Sequence, residues 1–222
     1  EQLKVLALKV SFEKRDIPTK GMVAALDNFA VKLKGANPEA REKFFKSDAY
    51  QLEEDSEFNI RIHVDAYTGK LKSEENMPKN LLGELAVKQI KVHLDWFPGS
   101  KKKNILYHLW IDTCVDLKNS NCLFELETRF KAEKNTPEAF EFLKKIQIEL
   151  LALYDSAYEK DHQKHQVAFI GRLKQFIEQF PNHPIALKSK KRLFGIYFSS
   201  KNYTEALPIA EQVFKIEKNN ES

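Results

Sequence analysis

RLFGIYFSSKNYTEALPIAEQVFKIEKNN, Arg192 to Asn220, sets the reading of the whole chain. Its apolar residues fall in two runs at helical spacing. Leu193, Ile196 and Tyr197 belong to the first run, and Ala206, Leu207, Ile209, Ala210, Val213 and Phe214 to the second. A short polar break, Ser199 to Asn202, separates them. Two amphipathic helices joined this briefly predict a helical hairpin.

Working upstream, Pro181-Asn182-His183-Pro184 ends a helix over 166–180 that carries Val167, Ile170, Leu173, Phe176, Ile177 and Phe180. Before it, Thr136-Pro137-Glu138 is a helix start: a capping hydroxyl, proline in the first turn, then an acid at the positive dipole end. The helix it opens runs to about residue 160. Its apolar stripe (Phe140, Leu143, Ile146, Leu150, Leu153, Ala157) is widened by Phe142, Ile148, Leu151 and Tyr154, so more than one side is expected to be buried.

Before residue 135 the period reads differently. Phe58, Ile60, Ile62, Val64 and Ala66 alternate with polar residues, as do Ile90, Val92, Leu94 and Trp96, and as do Phe124, Leu126, Thr128 and Phe130. Alternation predicts half-buried strands over 58–67, 87–96 and 124–131. Residues 104–115 are apolar on both faces, as in a covered central strand. A further strand is expected over 3–12, and helices over 22–33 and 37–47. The predicted fold class is α+β. An N-terminal antiparallel β-meander with flanking helices (1–135) precedes a C-terminal helical array (136–222).

Composition narrows the function classes. Apolar residues make up 42% and charged residues 31% of the 222, which suits a folded core rather than disorder. Thirty-six basic residues face 32 acidic ones for a net charge of +4, too balanced to point to nucleic acid or an anionic membrane surface. No apolar run is long enough to span a bilayer. Cys114 and Cys122 flank a short polar turn. Bonded, they indicate an oxidising compartment; unbonded, they are two half-buried thiols of a cytosolic protein. A chain that begins at Glu1 rather than Met has either lost a leader or been cut from a longer sequence.

The hairpin at 192–220 resembles a tetratricopeptide repeat. Leu193, Tyr197, Tyr203 and Ala206 stand at that family's spacing, with Ala206 small enough for the helix backbones to approach. Phe194, Lys190, Ala210 and Lys218 depart from its pattern. FIEQFPNHP, Phe176 to Pro184, is similar to the end of an earlier repeat of the kind found in bacterial envelope assembly lipoproteins and cell-division coordinator proteins. The resemblance covers residues 136–220. It implies a non-enzymatic interaction module or scaffold, periplasmic or otherwise extracytoplasmic, with a protein partner in the groove of the array. Lys190, Lys191, Arg192 and Tyr197 are the partner-binding candidates, the cations steering an acidic segment. The outer end of the last helix is expected to continue into further repeats, or to meet a partner or a second copy.

Chemistry-bearing clusters are sparse. His63 with Asp65 and His93 with Asp95 would share the polar face of adjacent strands, a metal-ligand or acid–base arrangement. His108 and Asp112 lie on a third segment, and Asp161, His162 and His165 sit at a helix end. The same residues are ordinary on a solvated face. Glycine-rich phosphate loops and nucleophile motifs are absent, so no catalytic residue and no cofactor are expected. Two further functions remain open on sequence. One is a small-molecule or lipid carrier with a cavity lined by Ile62, Leu94, Trp96 and Phe124. The other is a metal-dependent hydrolase built on the His and Asp pairs.

Overall fold

The computed structural model describes residues 53, 54, 56–58, 60–70, 77–132 and 136–220. The readings for 3–12, 22–33 and 37–47 lie outside them. Among the described residues every regular element is a helix: α1 (Lys79–Trp96), α2 (Lys103–Asp116), α3 (Ser120–Ala132), α4 (Pro137–Lys160), α5 (His162–Gln179), α6 (Pro184–Ser199) and α7 (Tyr203–Asn220), with residues 60–67 helical ahead of them. None is long and apolar enough to cross a membrane. The chain divides into two compact units, Glu1–Leu117 and Lys118–Ser222.

The expected β-meander is therefore overturned, and with it the α+β class: 58, 60–67, 87–96, 104–115 and 124–131 are helical. The buried sets give the reason. In α1, Leu82, Leu85, Ala86, Gln89, Ile90, His93 and Leu94 are buried, a spacing of three and four that emerges only over the full helix. His93, expected on the polar side of a strand, lies on the core side, and Gln89 is buried with it. In α3 the buried set is Leu123, Leu126, Glu127 and Phe130; Thr128 points outward and donates to the Phe124 carbonyl at 2.9 Å. A short apolar run reads alike as covered strand or buried helix. Neither α1 nor α2 has a side-chain cap at its N-terminus to tell the two apart.

In the first unit α1 packs against α2. Ala66, Tyr67, Met77, Leu82 and Leu85 form a buried cluster, with Leu81 and Leu117 against it. Gly83 lets the chains close up: a Cβ there would stand 2.8 Å from the Tyr67 ring and 3.0 Å from Leu117. The Tyr67 hydroxyl donates to Asp116, which also accepts from Lys79 at 2.9 Å. Burial, then the bond to Asp116 and its charge, push the Tyr67 phenol up, so it remains a donor.

In the second unit each helix packs on its chain neighbour, α3 on α4, α4 on α5, α5 on α6 and α6 on α7, a succession of helical hairpins. Thr136 caps α4 by accepting from the Ala139 amide at 3.2 Å, with Pro137 at the first position. Asp161 alone joins α4 to α5 and caps the latter, accepting from Lys164 at 3.0 Å. His183 caps α6, followed by Pro184. Aromatic rings line the core: Phe130 stacks on Phe142 at 5.0 Å, and Phe180 meets Phe140 at 5.1 Å and Phe176 at 5.2 Å. Cys114 in α2 and Cys122 in α3 are disulfide-bonded, across a turn between helices rather than between strands.

Candidate functional site

The basic stretch of α6 is the candidate site, and its residues do different work. Arg192 reaches back to α4. Its Nε and Nη2 donate to Asp155 Oδ1 at 3.1 and 2.8 Å, and Nη2 also pairs with Glu159. Its guanidinium lies over the rings of Tyr158 and Phe169, at 5.4 and 5.8 Å. A planar cation held by two carboxylates and two rings is a strut between helices. Lys191 pairs with Glu217 of α7. Tyr197 is buried, with the Lys174 ammonium 5.5 Å from its ring centre.

Lys190 stands apart from them. It is half-buried, makes no ion pair with a described residue, and lines a cavity of about 300 Å³ among α5, α6 and α7. Ile177, Leu193 and Ile209 give this cavity apolar walls; Lys174, Glu205 and Gln212 give it polar ones. Pro208, also in the wall, lies inside α7 and has no N–H, so the Thr204 carbonyl beside it lacks its intrahelical donor. Apolar walls beside the half-buried Lys190 suit a segment that presents an apolar side chain next to an acid.

Sequence reasoning missed the most heavily bonded group in this unit, Glu127. Its side chain is 5% exposed. Arg172 Nη1 donates to both carboxylate oxygens at 3.0 and 2.9 Å, Gln175 donates at 2.8 Å, Gln147 at 3.3 Å, and Lys131 pairs at 3.0 Å. Phe124 and Tyr154 flank the guanidinium, at 4.6 and 5.7 Å. Burial pushes this carboxyl up, but the bonds and charges of Lys131 and Arg172 outweigh it and hold it below the usual range. A carboxylate held by donors from three helices is a clamp joining α3, α4 and α5, with four of its contacts on Oε1 and one, from Arg172, on Oε2. Its sequence signal was an acid in the middle of the Leu123, Leu126, Phe130 stripe.

In the first unit the expected His and Asp pairs do not assemble. Residues two apart share a strand face but diverge by about 200° on a helix. His63 is buried, while Asp65 lies near Arg61 and Lys70, each at 4.0 Å. His93 is buried and Asp95 exposed. His108 and Asp112 lie on the exposed side of α2. Asp161 is a cap, and His162 meets the Tyr158 ring edge-on at 4.4 Å. Among the described residues, a metal-sized cluster forms only from Glu53, Glu57 and His93, whose donor atoms lie within 4.8 Å of one another. The Lys102 ammonium already pairs with Glu57, and the two imidazole nitrogens face the hydroxyls of Ser56 and Ser100 at 3.0 and 3.3 Å. Burial holds the His93 imidazole below its ordinary value. The carrier cavity loses the sheet that was to enclose it, and Ile62 and Leu94 are core residues of the first unit.

No family model, no curated protein and no solved structure matches the chain.

Proposed function

We propose that this chain is a non-enzymatic interaction module. Its C-terminal hairpins, tetratricopeptide-like in their Leu193, Tyr197, Tyr203 and Ala206, hold a segment of another protein. The observation that carries the reading is Lys190: a half-buried lysine without an ion pair among the described residues, in the lining of a cavity with apolar walls. The matching ligand is a helix or extended peptide with a large apolar residue beside an acid. Arg192 holds the groove's shape from within, Tyr197 supports its wall, and Lys191 makes an exposed pair with Glu217, outside the cavity lining. Ala206, 2% exposed where α6 and α7 pack, supports the tetratricopeptide resemblance.

Peptide display against the intact chain tests this. Selected peptides should share the apolar-plus-acidic pair, and K190E should weaken them by about tenfold, the loss of one partly desolvated charge contact. K191E should leave binding nearly unchanged. Peptides indifferent to K190E would remove the cavity from consideration.

The bonded cysteine pair favours an extracytoplasmic setting, such as a bacterial cell envelope. For so short a loop, reduction is expected to lower unfolding free energy by roughly 2–3 kcal/mol, read from urea melts with and without dithiothreitol. An unchanged midpoint would remove the support for an oxidising compartment.

A further inference from the structure

Residues 53, 54 and 56–58 are helical, so Glu53 and Glu57 stand one turn apart on one helix face. Their carboxylates meet His93, in the last turn of α1: one donor atom from each of the three residues lies within 4.8 Å of the other two. The imidazole is fully buried and packs against the Phe97 ring at 5.0 Å. Two buried serines hold its nitrogens, Ser56 Oγ at 3.0 Å from Nδ1 and Ser100 Oγ at 3.3 Å from Nε2. One ammonium answers the two carboxylates: Lys102 pairs with Glu57, while Glu53 makes no ion pair with a described residue.

We propose that Glu53, Glu57 and His93 bind one divalent cation of the zinc class, which pins the helical segment ahead of α1 to the end of α1. The donor set carries the choice of ion. One imidazole with two carboxylates suits zinc and its neighbours, whereas magnesium and calcium take oxygen alone. The geometry is close to what such an ion needs. Tetrahedral bonds of about 2.0 Å set the donors about 3.3 Å apart, so each side chain closes by less than about 1 Å. The imidazole is already oriented: whichever nitrogen takes the metal, the other keeps its serine hydroxyl, the outer bond that fixes a ligand ring. Charge favours the exchange as well. A dication neutralises both carboxylates, where Lys102 neutralises one. The Lys102 side chain is 56% exposed, so its ammonium leaves Glu57 for water at little cost. Three protein donors leave a fourth position for water. The site lies within the first unit and does not depend on the peptide cavity of the second.

Zinc chloride titrated into the intact, chelator-stripped chain is the test, read by calorimetry and by thermal melts. One equivalent should bind and raise the melting midpoint, because the ion binds the folded state. E53Q removes a charged ligand that has no ion pair to lose, so the metal-free melt should stay as it is. Zinc binding should weaken by about tenfold or more, and the zinc-induced rise should vanish. K102M removes the competing ammonium and should tighten zinc several-fold. A surface site elsewhere, such as His162 with His165, would respond to neither change. Calcium chloride in the same titration should leave the midpoint where it was. A chain that takes up no stoichiometric zinc overturns the proposal. So does zinc binding that E53Q leaves intact or K102M fails to tighten, and so does calcium binding as tight as that of zinc.

Discussion

The two units solve the same problem, burying a helix face, with opposite treatment of their ends and interiors. In the second unit α4, α5 and α6 begin on side-chain caps, Thr136, Asp161 and His183, and two of them have proline at the first position. In the first, α1 starts after Pro78 and α2 after Lys102, neither with a side-chain cap. The first unit buries neutral polar groups, Gln89, His93 and Thr113, along its helices. The second buries a charge, Glu127, and surrounds it with donors. Caps advertise a helix in the sequence. Buried polar residues disguise one, because they interrupt the apolar stripe from which the period is read.

The largest expected effect attacks the buried charge. Arg172→Ala strips Glu127 of two bonds and its nearest guanidinium, and should cost about 3 kcal/mol in urea unfolding. Arg172→Lys should recover only part of it, since an ammonium lacks the planar fork. The same carboxylate makes the second unit acid-sensitive. Its folded-state value is depressed, so the stabilisation is complete above the ordinary value of 4.5 and is lost as pH falls through the lower folded value. A loss below about 0.5 kcal/mol for Arg172→Ala would mean that Lys131 and the glutamines suffice.

Gly83→Ala comes next. The new methyl group would meet the Tyr67 ring, which its bond to Asp116 holds in place. Overpacking of this kind costs about 1–3 kcal/mol, offset by up to about 1 kcal/mol of better helix propensity. The net loss should fall in the first unit and be visible as lowered amide-exchange protection in α1. A stabilised variant would show that the approach is looser than the structure gives.

Thr136→Ala removes a cap and should cost about 1 kcal/mol, with fraying confined to the first turn of α4. α1 has no cap bond to lose, so the contrast is measurable by amide exchange at the two helix starts.

The smallest effect is a pH slope. Burial lowers the His93 value, so the neutral ring is what folds; stability is flat above 6.5 and falls as pH drops from 6.5 towards the folded value. His93→Asn should flatten that slope while keeping donors for Ser56 and Ser100 to meet. Retention of the slope would assign it to another group.

The boundaries of the later helices were legible. Thr136-Pro137-Glu138 opens α4, the reading ended that helix near 160, and Lys160 ends it; the break Ser199 to Asn202 separates α6 from α7. The site was legible only by residue type. Lys190, Lys191 and Arg192 are neighbours of like charge, and nothing in their sequence says that Asp155 and Glu159 take one, Glu217 takes another, and a cavity keeps the third. Glu127 was placed on the wet side of a strand because its four donors come from positions 131, 147, 172 and 175, three of them on other helices.

The sequence by itself placed the start and end of α4 and the breaks before α6 and α7, because caps, prolines and turn residues act on their own neighbours; it opened α5 at 166, four residues after His162, where the helix begins behind its Asp161 cap. It also placed the two cysteines eight residues apart, within reach of one another. Only the tertiary structure decided that residues 87–96, 104–115 and 124–131 are helices and not strands. Short apolar runs have no period of their own, and the choice between pairing with a neighbouring strand and closing bonds within the segment is made by what packs against it. The tertiary structure likewise left Lys190 without an ion pair among the described residues, because charge pairing follows distance in space rather than order along the chain.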